Sequence, residues 1–273
     1  MIKNKEKIIQ NAKKEFEREK NETSNKFKKL LQNKKIDTVE FDITMSNISD
    51  IASRELAEYI IYRQQIITAL ELMNKNNDKS EEKINNIFMK KHTESFNNKN
   101  NVYDNNLWIF DDKYMTYVYA ASDMQISRCQ KALAEIANDA NSPYRPDLAI
   151  FFSNKENLKK DVLVVEFKAC GASIDEKSKS FWEINRNAQA ARKSINNIDR
   201  IWCYTITKFD DKFIENIENQ DFTPLFTNGE KKELYYRYFN KINAHCYYIS
   251  LDALLADANA RNNIFLDIIR NKQ

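Results

Sequence analysis

The sequence predicts an α/β fold in which a central mixed sheet is flanked by helices and preceded by a helical N-terminal region. Apolar residues recur every three to four positions in the first part of the chain, and the spacing shifts toward two from Leu107 onward. Beyond that point strand-like and helix-like segments alternate, which is the order of an α/β protein. With 273 residues, of which 42% are hydrophobic and 12% aromatic, the chain can bury a substantial core.

The N-terminal part of the chain predicts two helices. Residues 4–33 carry a thin apolar stripe among many Glu and Lys neighbours, whereas residues 36–50 follow no clear pattern. From Ser53, a candidate N-cap, apolar residues recur at helical spacing as far as Met73. We therefore expect a strong second helix that begins after Ser53.

A polar segment, Asn74–Ser80, interrupts the helical pattern and indicates a domain boundary. We expect residues 1–78 to form a helical region for assembly or partner contacts, and residues 79–273 to form a second domain. That domain is predicted to begin with a short helix over residues 80–90, followed by a loop rich in Asn and Lys over residues 91–106.

The second domain is then predicted to alternate strands and helices. An amphipathic helix is expected from Phe181 to Ile198, where apolar residues step by three or four, and a closing helix from Leu251 to Arg270. Six segments have either a continuous apolar run or the alternation of apolar and polar residues that is typical of strands. They are Leu107–Asp111, Met115–Ala121, Asp147–Phe152, Val162–Lys168, Ile201–Ile206 and Cys246–Ile249.

The composition excludes several kinds of site. The two glycines, Gly171 and Gly229, lie 58 positions apart, so neither a P-loop nor a dinucleotide-binding fingerprint can be formed. Two histidines and four scattered cysteines lack the spacing of ordinary zinc sites. A Ser-His-Asp or Cys-His site would need His92 or His245, and neither stands in a favourable context.

Charge and apolar runs carry weaker information about partners and location. The net charge is +3, but residues 1–35 hold 12 Lys or Arg and 5 Asp or Glu, so this segment is either a nucleic-acid-binding arm or a solvated helix. No run approaches the ~18 apolar residues of a membrane span, and the N-terminus lacks the apolar stretch of a secretory signal. The cysteine spacing indicates reduced thiols, so we expect a cytoplasmic protein without a membrane partner.

Acidic and basic residues at the ends of two predicted strands are the most informative feature of the sequence. Asp147 follows Pro146 at the start of one apolar strand, and Glu166 and Lys168 close the next. Since side chains alternate along a strand, Glu166 and Lys168 share one face. If the two strands are neighbours, Asp147 meets Glu166, and two converging carboxylates need a positive partner. Oxygen ligands suit Mg²⁺ or Mn²⁺, with the main-chain carbonyl of Phe167 as a further candidate ligand.

This arrangement predicts phosphodiester hydrolysis. A divalent cation lowers the pKa of water and offsets the charge that grows on the phosphate oxygens, while Lys168 stabilises the same charge or orients the attacking water. The chemistry requires neither a histidine nor a glycine loop, in agreement with the composition. The spacing by itself also fits an ion pair that serves only the structure of the strand ends, and the residues alone leave both interpretations open.

The order Pro146-Asp147, then 18 residues, then Glu166-Phe167-Lys168 resembles the signature of the PD-(D/E)xK nuclease superfamily. The similarity extends to the helix before the nuclease domain, its first hairpin and its closing helix in a group of bacterial proteins. That group includes nuclease modules placed behind Hsp90-like ATPase domains and is akin to the Shedu type of defence nuclease. The segments that carry the extended similarity are residues 54–71, 106–112, 119–123 and 257–265.

The resemblance implies a restriction-endonuclease-like fold, with a nuclease domain over residues 79–273. It implies an endonuclease that depends on Mg²⁺ or Mn²⁺, hydrolyses DNA and acts in bacterial defence against phage. Such an enzyme would be restrained by self-assembly or by a regulatory subunit, for example an Hsp90-like ATPase. Two alternatives stay open: a catalytically inactive fold of this type that binds nucleic acid or serves assembly, and a nuclease that acts on RNA.

For individual residues, the resemblance implies metal ligation by Asp147 and Glu166 and a catalytic role for Lys168. An acidic residue on the helix before the first hairpin usually completes such sites, and Glu81 or Glu82 occupies that place. The alternative for these two residues is a favourable interaction with the N-terminus of their helix.

Two further positions carry weaker implications. Relatives often present a Gln on the helix after Glu-x-Lys to the site, and Gln189 fits that position, with Asn185 one turn earlier. The alternative for Gln189 is an ordinary polar residue at an exposed helix edge. Relatives often have His at the position of Asn85 and Tyr at that of Lys193, so this chain departs from the family pattern there.

An aromatic cluster in the last quarter of the chain allows two interpretations. It could stack on unpaired bases, or it could pack in the core, as aromatic stripes usually do. Its members are Tyr235, Tyr236, Tyr238 and Phe239.

Overall fold

The computed structural model describes the chain in six stretches. These are residues 2–32, 38–96, 103–132, 144–153, 159–225 and 233–270. The chain divides into two compact units, a smaller one of Met1–Arg63 with Ile264–Gln273 and a larger one of Gln64–Asn263. Within the described stretches, no helix combines the length and the apolar character needed to cross a bilayer.

The smaller unit is helical. Helix α1 (Ile2–Gln32) confirms the predicted first helix, and it packs on the first part of helix α2 (Thr38–Lys75). The rings of Phe27 and Phe41 meet between the two helices, with centroids 6.4 Å apart. Two ion pairs also join the helices, Lys20 with Glu55 and Arg54 with Glu19.

Helix α2 begins earlier than predicted. It includes residues 38–50, and Ser53 lies inside it rather than at its N-cap. Apolar side chains occupy more than one face of this helix, since Val39 and Ile43 are exposed whereas Ile51 is buried. No single apolar stripe therefore marks where the helix begins.

Eight strands form one sheet in the larger unit. They are β1 (Glu94–Phe96), β2 (Tyr119–Ser122), β3 (Leu148–Ser153), β4 (Lys160–Phe167), β5 (Ile198–Thr207), β6 (Thr223–Pro224), β7 (Leu234–Phe239) and β8 (Ala244–Ser250). Their order across the sheet is β1-β2-β3-β4-β5-β8-β7-β6. Strand β5 is parallel to both β4 and β8, and the other neighbours are antiparallel, so the sheet is mixed, as predicted.

Helices cover both faces of the sheet. The remaining helices are α3 (Glu81–Phe88), α4 (Ile126–Ala132), α5 (Ile174–Ser194), α6 (Asp211–Glu218) and α7 (Leu251–Arg270). One apolar layer contains side chains of α3, α7 and the end of α2, and the other contains side chains of α4, α5 and α6. Successive residues of β4 enter opposite layers, Val164 that of α5 and Val165 that of α3. The predicted α/β architecture with flanking helices is therefore confirmed.

The strand predictions hold in the centre of the sheet and fail near its first edge. Leu107–Asp111 is not a strand, because Leu107–Ile109 forms a 3-10 turn in which the Trp108 indole donates to Asn106 Oδ1 at 3.1 Å. Of Met115–Ala121, only the last residues belong to β2. Strands β1, β6 and β7 and helices α4 and α6 were not predicted.

The division between the two units falls inside α2, between Arg63 and Gln64. The polar segment after α2 indicates instead a boundary near residue 78. The last turns of α2 belong to the larger unit because Ile67 and Leu70 are fully buried in its core. The assignment of separate functions to residues 1–78 and 79–273 stays a prediction.

Candidate active site

Asp147 and Glu166 lie opposite each other at the adjoining ends of β3 and β4. Leu148 is opposite Val165 in this antiparallel pair, so the next residues outward are Asp147 and Glu166. Residues directly opposite each other point to the same face of a sheet. The main-chain N–H of Phe167 donates to Asp147 Oδ2 at 2.8 Å, which holds the Asp147 carboxylate against the end of β4. The two carboxylates therefore share one face of the sheet.

The Lys168 ammonium group lies among three carboxylates. Its Nζ is 3.2 Å from Glu166 Oε1, 2.9 Å from Glu183 Oε2 and 3.7 Å from Glu81 Oε2. The side chains of Lys168 and Glu166 are only 11% and 10% exposed. Together with Asp147, the cluster holds four carboxylates beside the Lys168 ammonium group. Lys91 also acts on Asp147, but carboxylates still outnumber the cations.

The acidic residue contributed by α3 is Glu81 rather than Glu82. Ser80 caps this helix by accepting the N–H of Lys83 at 3.2 Å, which places both glutamates in the first turn. Glu81 points toward Lys168, whereas the Glu82 side chain is exposed. No ion pair joins Glu82 to Lys168 in the described part of the chain.

Helix α5 contributes Glu183, which the sequence analysis did not identify. The helix begins shortly after β4 ends, with Ser173 and Glu176 forming a capping box at its N-terminus. Its first turns therefore lie beside the end of β4, and Glu183 reaches Lys168 from there. Gln189 lies further along the helix, is exposed, and donates to Asn185 Oδ1 at 2.9 Å.

Burial raises the pKa of both paired carboxylates. The pKa of Asp147 rises to about 6, chiefly through burial and also through the charge of Glu81, against the opposing effect of the Phe167 N–H. The pKa of Glu166 is raised well above its usual value, first by burial and then by the charge of Asp147. Burial alone would lower the pKa of Lys168, but the surrounding carboxylates, Glu166 foremost, outweigh it and raise that pKa.

Three buried polar atoms in or beside the cluster have no hydrogen-bond partner among the described residues: Glu166 Oε2, Asn85 Nδ2 and Glu183 Oε2. Of these, Glu183 Oε2 forms an ion pair with Lys168. Asn85 lies one turn after Glu81 on α3, and its Oδ1 is 3.2 Å from the Ser122 hydroxyl. That hydroxyl is also 3.1 Å from the main-chain oxygen of Asp147. Since leaving a buried polar atom unpaired is costly, the unpaired carboxylate oxygen of Glu166 indicates a place for a cation or a donor.

An open cleft of about 460 Å³ adjoins the cluster. Lys168, Glu81 and Glu183 line it, whereas Asp147 and Glu166 lie behind Lys168 and are almost completely buried. Gly171 forms part of the wall, where a Cβ atom would come within 3.2 Å of the Lys79 side chain. A ligand in the cleft would therefore meet the Lys168 ammonium group before either buried carboxylate.

The aromatic cluster of β7 is divided between core and surface. Tyr235 is fully buried and its hydroxyl donates to Glu218 at 3.1 Å, so this ring packs in the core. Tyr236 has its hydroxyl 2.9 Å from Nδ1 of His245. Tyr238 is 40% exposed and is the member best placed to meet a ligand.

Comparison of this chain with protein families, with curated proteins and with solved structures finds no match. Among the described residues, no group of three or more His, Cys, Asp or Glu side chains has the geometry of a metal site. The site is therefore interpreted from its own charges and distances.

Proposed function

We propose that this chain is a metal-dependent endonuclease that hydrolyses DNA phosphodiester bonds at Asp147, Glu166 and Lys168. The observation that carries the proposal is the excess of buried carboxylate over ammonium at one end of β3 and β4, with Glu166 Oε2 unpartnered. Such charge favours the binding of a further cation. The resemblance to PD-(D/E)xK nucleases, and the restriction-endonuclease-like fold it implies, agrees with this proposal and suggests defence against foreign DNA.

The residues present fit a hard divalent cation. Asp147 and Glu166 offer oxygen ligands from adjacent strands, and Mg²⁺ is commonly held by one or two carboxylates, with water and substrate phosphates as its other ligands. Glu81 and the main-chain carbonyl of Phe167 are further candidate ligands. When bound, Mg²⁺ or Mn²⁺ would supply Lewis acidity that activates water and offsets charge on the phosphate.

Lys168 is the residue that we assign to the reacting phosphate. Its raised pKa keeps the ammonium group charged at neutral pH, and it stands on the cleft side of the carboxylate pair. A fixed positive charge there stabilises the negative charge that develops on phosphate oxygens. Glu81 and Glu183 hold the Lys168 side chain in this position from α3 and α5.

Glu82 and Gln189 have no part in the proposed mechanism. Glu82 is exposed on the outer side of α3, and the Gln189 amide is bonded to Asn185. Glu81 takes the role that the resemblance assigns to an acid on the preceding helix. Glu183 takes the place on the following helix that the resemblance gives to a Gln.

The test is nicking of supercoiled plasmid DNA by the full chain with MgCl₂ or MnCl₂. Lys168→Met and Asp147→Asn should each lower the rate by about 1,000-fold or more, because each removes charge stabilisation or cation binding. Glu82→Gln is the matched control and should keep the wild-type rate. Equal rates in all four proteins, or full activity in EDTA, would contradict the proposal.

A second candidate function is a nucleic-acid-binding or assembly module in which the cluster serves only the structure. The observation that favours it is that Lys168 already has three carboxylate neighbours, with no group of three metal ligands among the described residues. Calorimetric titration with MnCl₂ separates the two candidates. Binding that is abolished by Asp147→Asn supports the nuclease, and no binding to the wild-type chain supports the module.

A further inference from the structure

Helix α5 has an exposed face that the proposed reaction does not use. Its residues are three or four positions apart, so they lie along one side of the helix. All are exposed, and Trp182, at 69%, is the most exposed large apolar side chain in the described part of the chain. We call this face the α5 track. It consists of Lys179, Trp182, Arg186, Gln189 and Lys193.

The track is positively charged along its whole length. Lys179, Arg186 and Lys193 are seven residues apart, which corresponds to about 10 Å between successive cations along a helix. The α5 helix has three acidic residues. Asp175 and Glu176 are in its first turn, where they stabilise the helix N-terminus and Glu176 partly offsets the charge of Lys179, and Glu183 is paired with Lys168. A row of cations of this length complements the phosphates of a nucleic-acid strand.

The track leads to the candidate active site. Lys179 lines the cleft together with Lys168. The Arg186 guanidinium lies 5.0 Å from the ring centroid of Tyr144, three residues before Asp147 in the chain. A strand held along the track would therefore reach the cleft that contains the Lys168 ammonium group.

The exposed indole determines the kind of strand. Trp182 packs edge-to-face on Phe181, with ring centroids 5.1 Å apart, and this contact orients the indole on the protein surface. Aromatic side chains beside cations stack on bases of single strands, and only an unpaired base offers its full face. We propose that the α5 track binds an unpaired DNA strand and guides it to Lys168, with Trp182 stacked on one base. This inference rests on the proposed nuclease function and gives it a substrate class.

The experiment measures binding of the full chain to fluorescein-labelled oligo(dT) and to a blunt hairpin duplex by anisotropy, in EDTA so that no cleavage occurs. The single strand should bind about tenfold more tightly than the duplex. Trp182→Ala should weaken single-strand binding about tenfold, and Trp182→Phe should restore most of it. Lys193→Ala should reduce the slope of log K against log salt by about 0.7.

Matched controls are Tyr103→Ala, an exposed aromatic residue outside α5 and β7, and Lys212→Ala, an exposed lysine on α6. Both should leave binding unchanged. The proposal would be overturned if Trp182→Ala bound the single strand with wild-type affinity. It would also be overturned if the control variants lost as much affinity as Trp182→Ala. Preference for oligo(U) over oligo(dT) by tenfold would overturn the DNA assignment.

The outcome is separable from that of the nuclease proposal. If the strand binds as expected but no cation supports nicking, the track stands and the nuclease proposal fails. If the wild-type chain nicks DNA and Trp182→Ala binds and nicks equally well, the nuclease proposal stands and the track is overturned.

Discussion

Two lysines, the buried Lys177 and the largely buried Lys168, lie in very different electrostatic surroundings. The Lys177 side chain is 3% exposed and has one carboxylate partner, Asp210, at 2.8 Å. Asp210 also caps α6 by accepting the N–H of Phe213 at 3.0 Å. Lys168 is 11% exposed and is surrounded by three carboxylates. One cluster is balanced in charge, and the other has an excess of negative charge.

The pKa shifts of the acids reflect this difference. Although burial alone would raise it, the pKa of Asp210 is lowered because Lys177 and a main-chain N–H stabilise its carboxylate. The pKa values of Asp147 and Glu166 are raised because burial and the repulsion of a neighbouring carboxylate outweigh Lys168. That neighbour is Glu81 for Asp147 and Asp147 for Glu166. We infer that the Lys177 pair stabilises the fold, whereas the Lys168 cluster is strained until a further cation enters it.

The largest expected effect on stability comes from breaking the balanced pair. Lys177→Met should lower the free energy of unfolding by about 2 to 3 kcal/mol, because the half-exposed Asp210 carboxylate, which caps α6, loses its charged hydrogen-bond donor. Urea denaturation with and without MnCl₂ measures this loss, which should be the same in both conditions. A loss below about 1 kcal/mol would show that Lys177 is not the structural counterpart of Lys168.

Neutralising an acid of the Lys168 cluster should raise the free energy of unfolding rather than lower it. The folded-state pKa of Asp147 is about 6 against an ordinary 3.8, so the folded chain binds more protons between these values. Its contribution to stability therefore falls as pH rises from about 4 to about 6, and the full penalty remains above that range. Asp147→Asn should raise the free energy of unfolding by about 2 kcal/mol at about pH 8 without metal, and by nothing below about pH 4.

Asp161→Asn is the matched control, because Asp161 lies near the other end of β4 and forms a paired contact with Arg200 at 2.6 and 3.0 Å. Asp161→Asn should lower the free energy of unfolding by about 0.5 kcal/mol, which is the typical contribution of an exposed ion pair. Thermal denaturation across the pH range measures both variants. Destabilisation by Asp147→Asn at about pH 8 would show that the cluster is not strained.

The sequence predicted the centre of the fold because its signals there are strong and local. Strands β3, β4 and β5 are apolar runs bounded by polar turns, and α5 and α7 have clear apolar stripes. The segment Leu107–Ile109 was misassigned because a short apolar run buried on all sides is compatible with a strand or a helical turn. Its 3-10 form has main-chain hydrogen bonds from Ile109 N–H to Asn106 O and from Phe110 N–H to Leu107 O, which residue spacing does not reveal.

The candidate site was predictable where it depends on strand register and not where it depends on helix direction. Alternation along β4 and pairing with β3 bring together Asp147, Glu166 and Lys168. Helix α5 runs away from the end of β4, so Gln189 lies roughly 22 Å of helix beyond its first residue. Glu183 lies about one turn and a half before Gln189 and next to Ile184 of the apolar stripe, and this position was the signal that could have identified the contact.

The affinity for Mn²⁺ should depend on pH if a cation relieves the strain. Protons compete with the cation for Asp147, whose pKa is about 6, and for Glu166, whose pKa is also raised by burial. As pH rises toward about 6, the dissociation constant should fall by about tenfold per pH unit for each carboxylate that is still protonated, and above that range it should fall less steeply. Calorimetric titrations from about pH 5 to about pH 8 measure the profile, and a flat profile would contradict Asp147 as a ligand.

The smallest expected effect distinguishes the two neighbouring glutamates of α3. Glu81 lies 3.7 Å from the Lys168 ammonium group, and its charge also raises the pKa of Asp147, whereas Glu82 is exposed. Glu81→Gln should weaken Mn²⁺ binding by about tenfold, the size typical of groups that support a metal site from its edge. Glu82→Gln should change it by less than about twofold, since an exposed carboxylate outside the cluster is screened by solvent. Equal effects of the two substitutions would mean that only the general negative charge of α3 matters, and that the orientation of Glu81 toward Lys168 contributes nothing to the site.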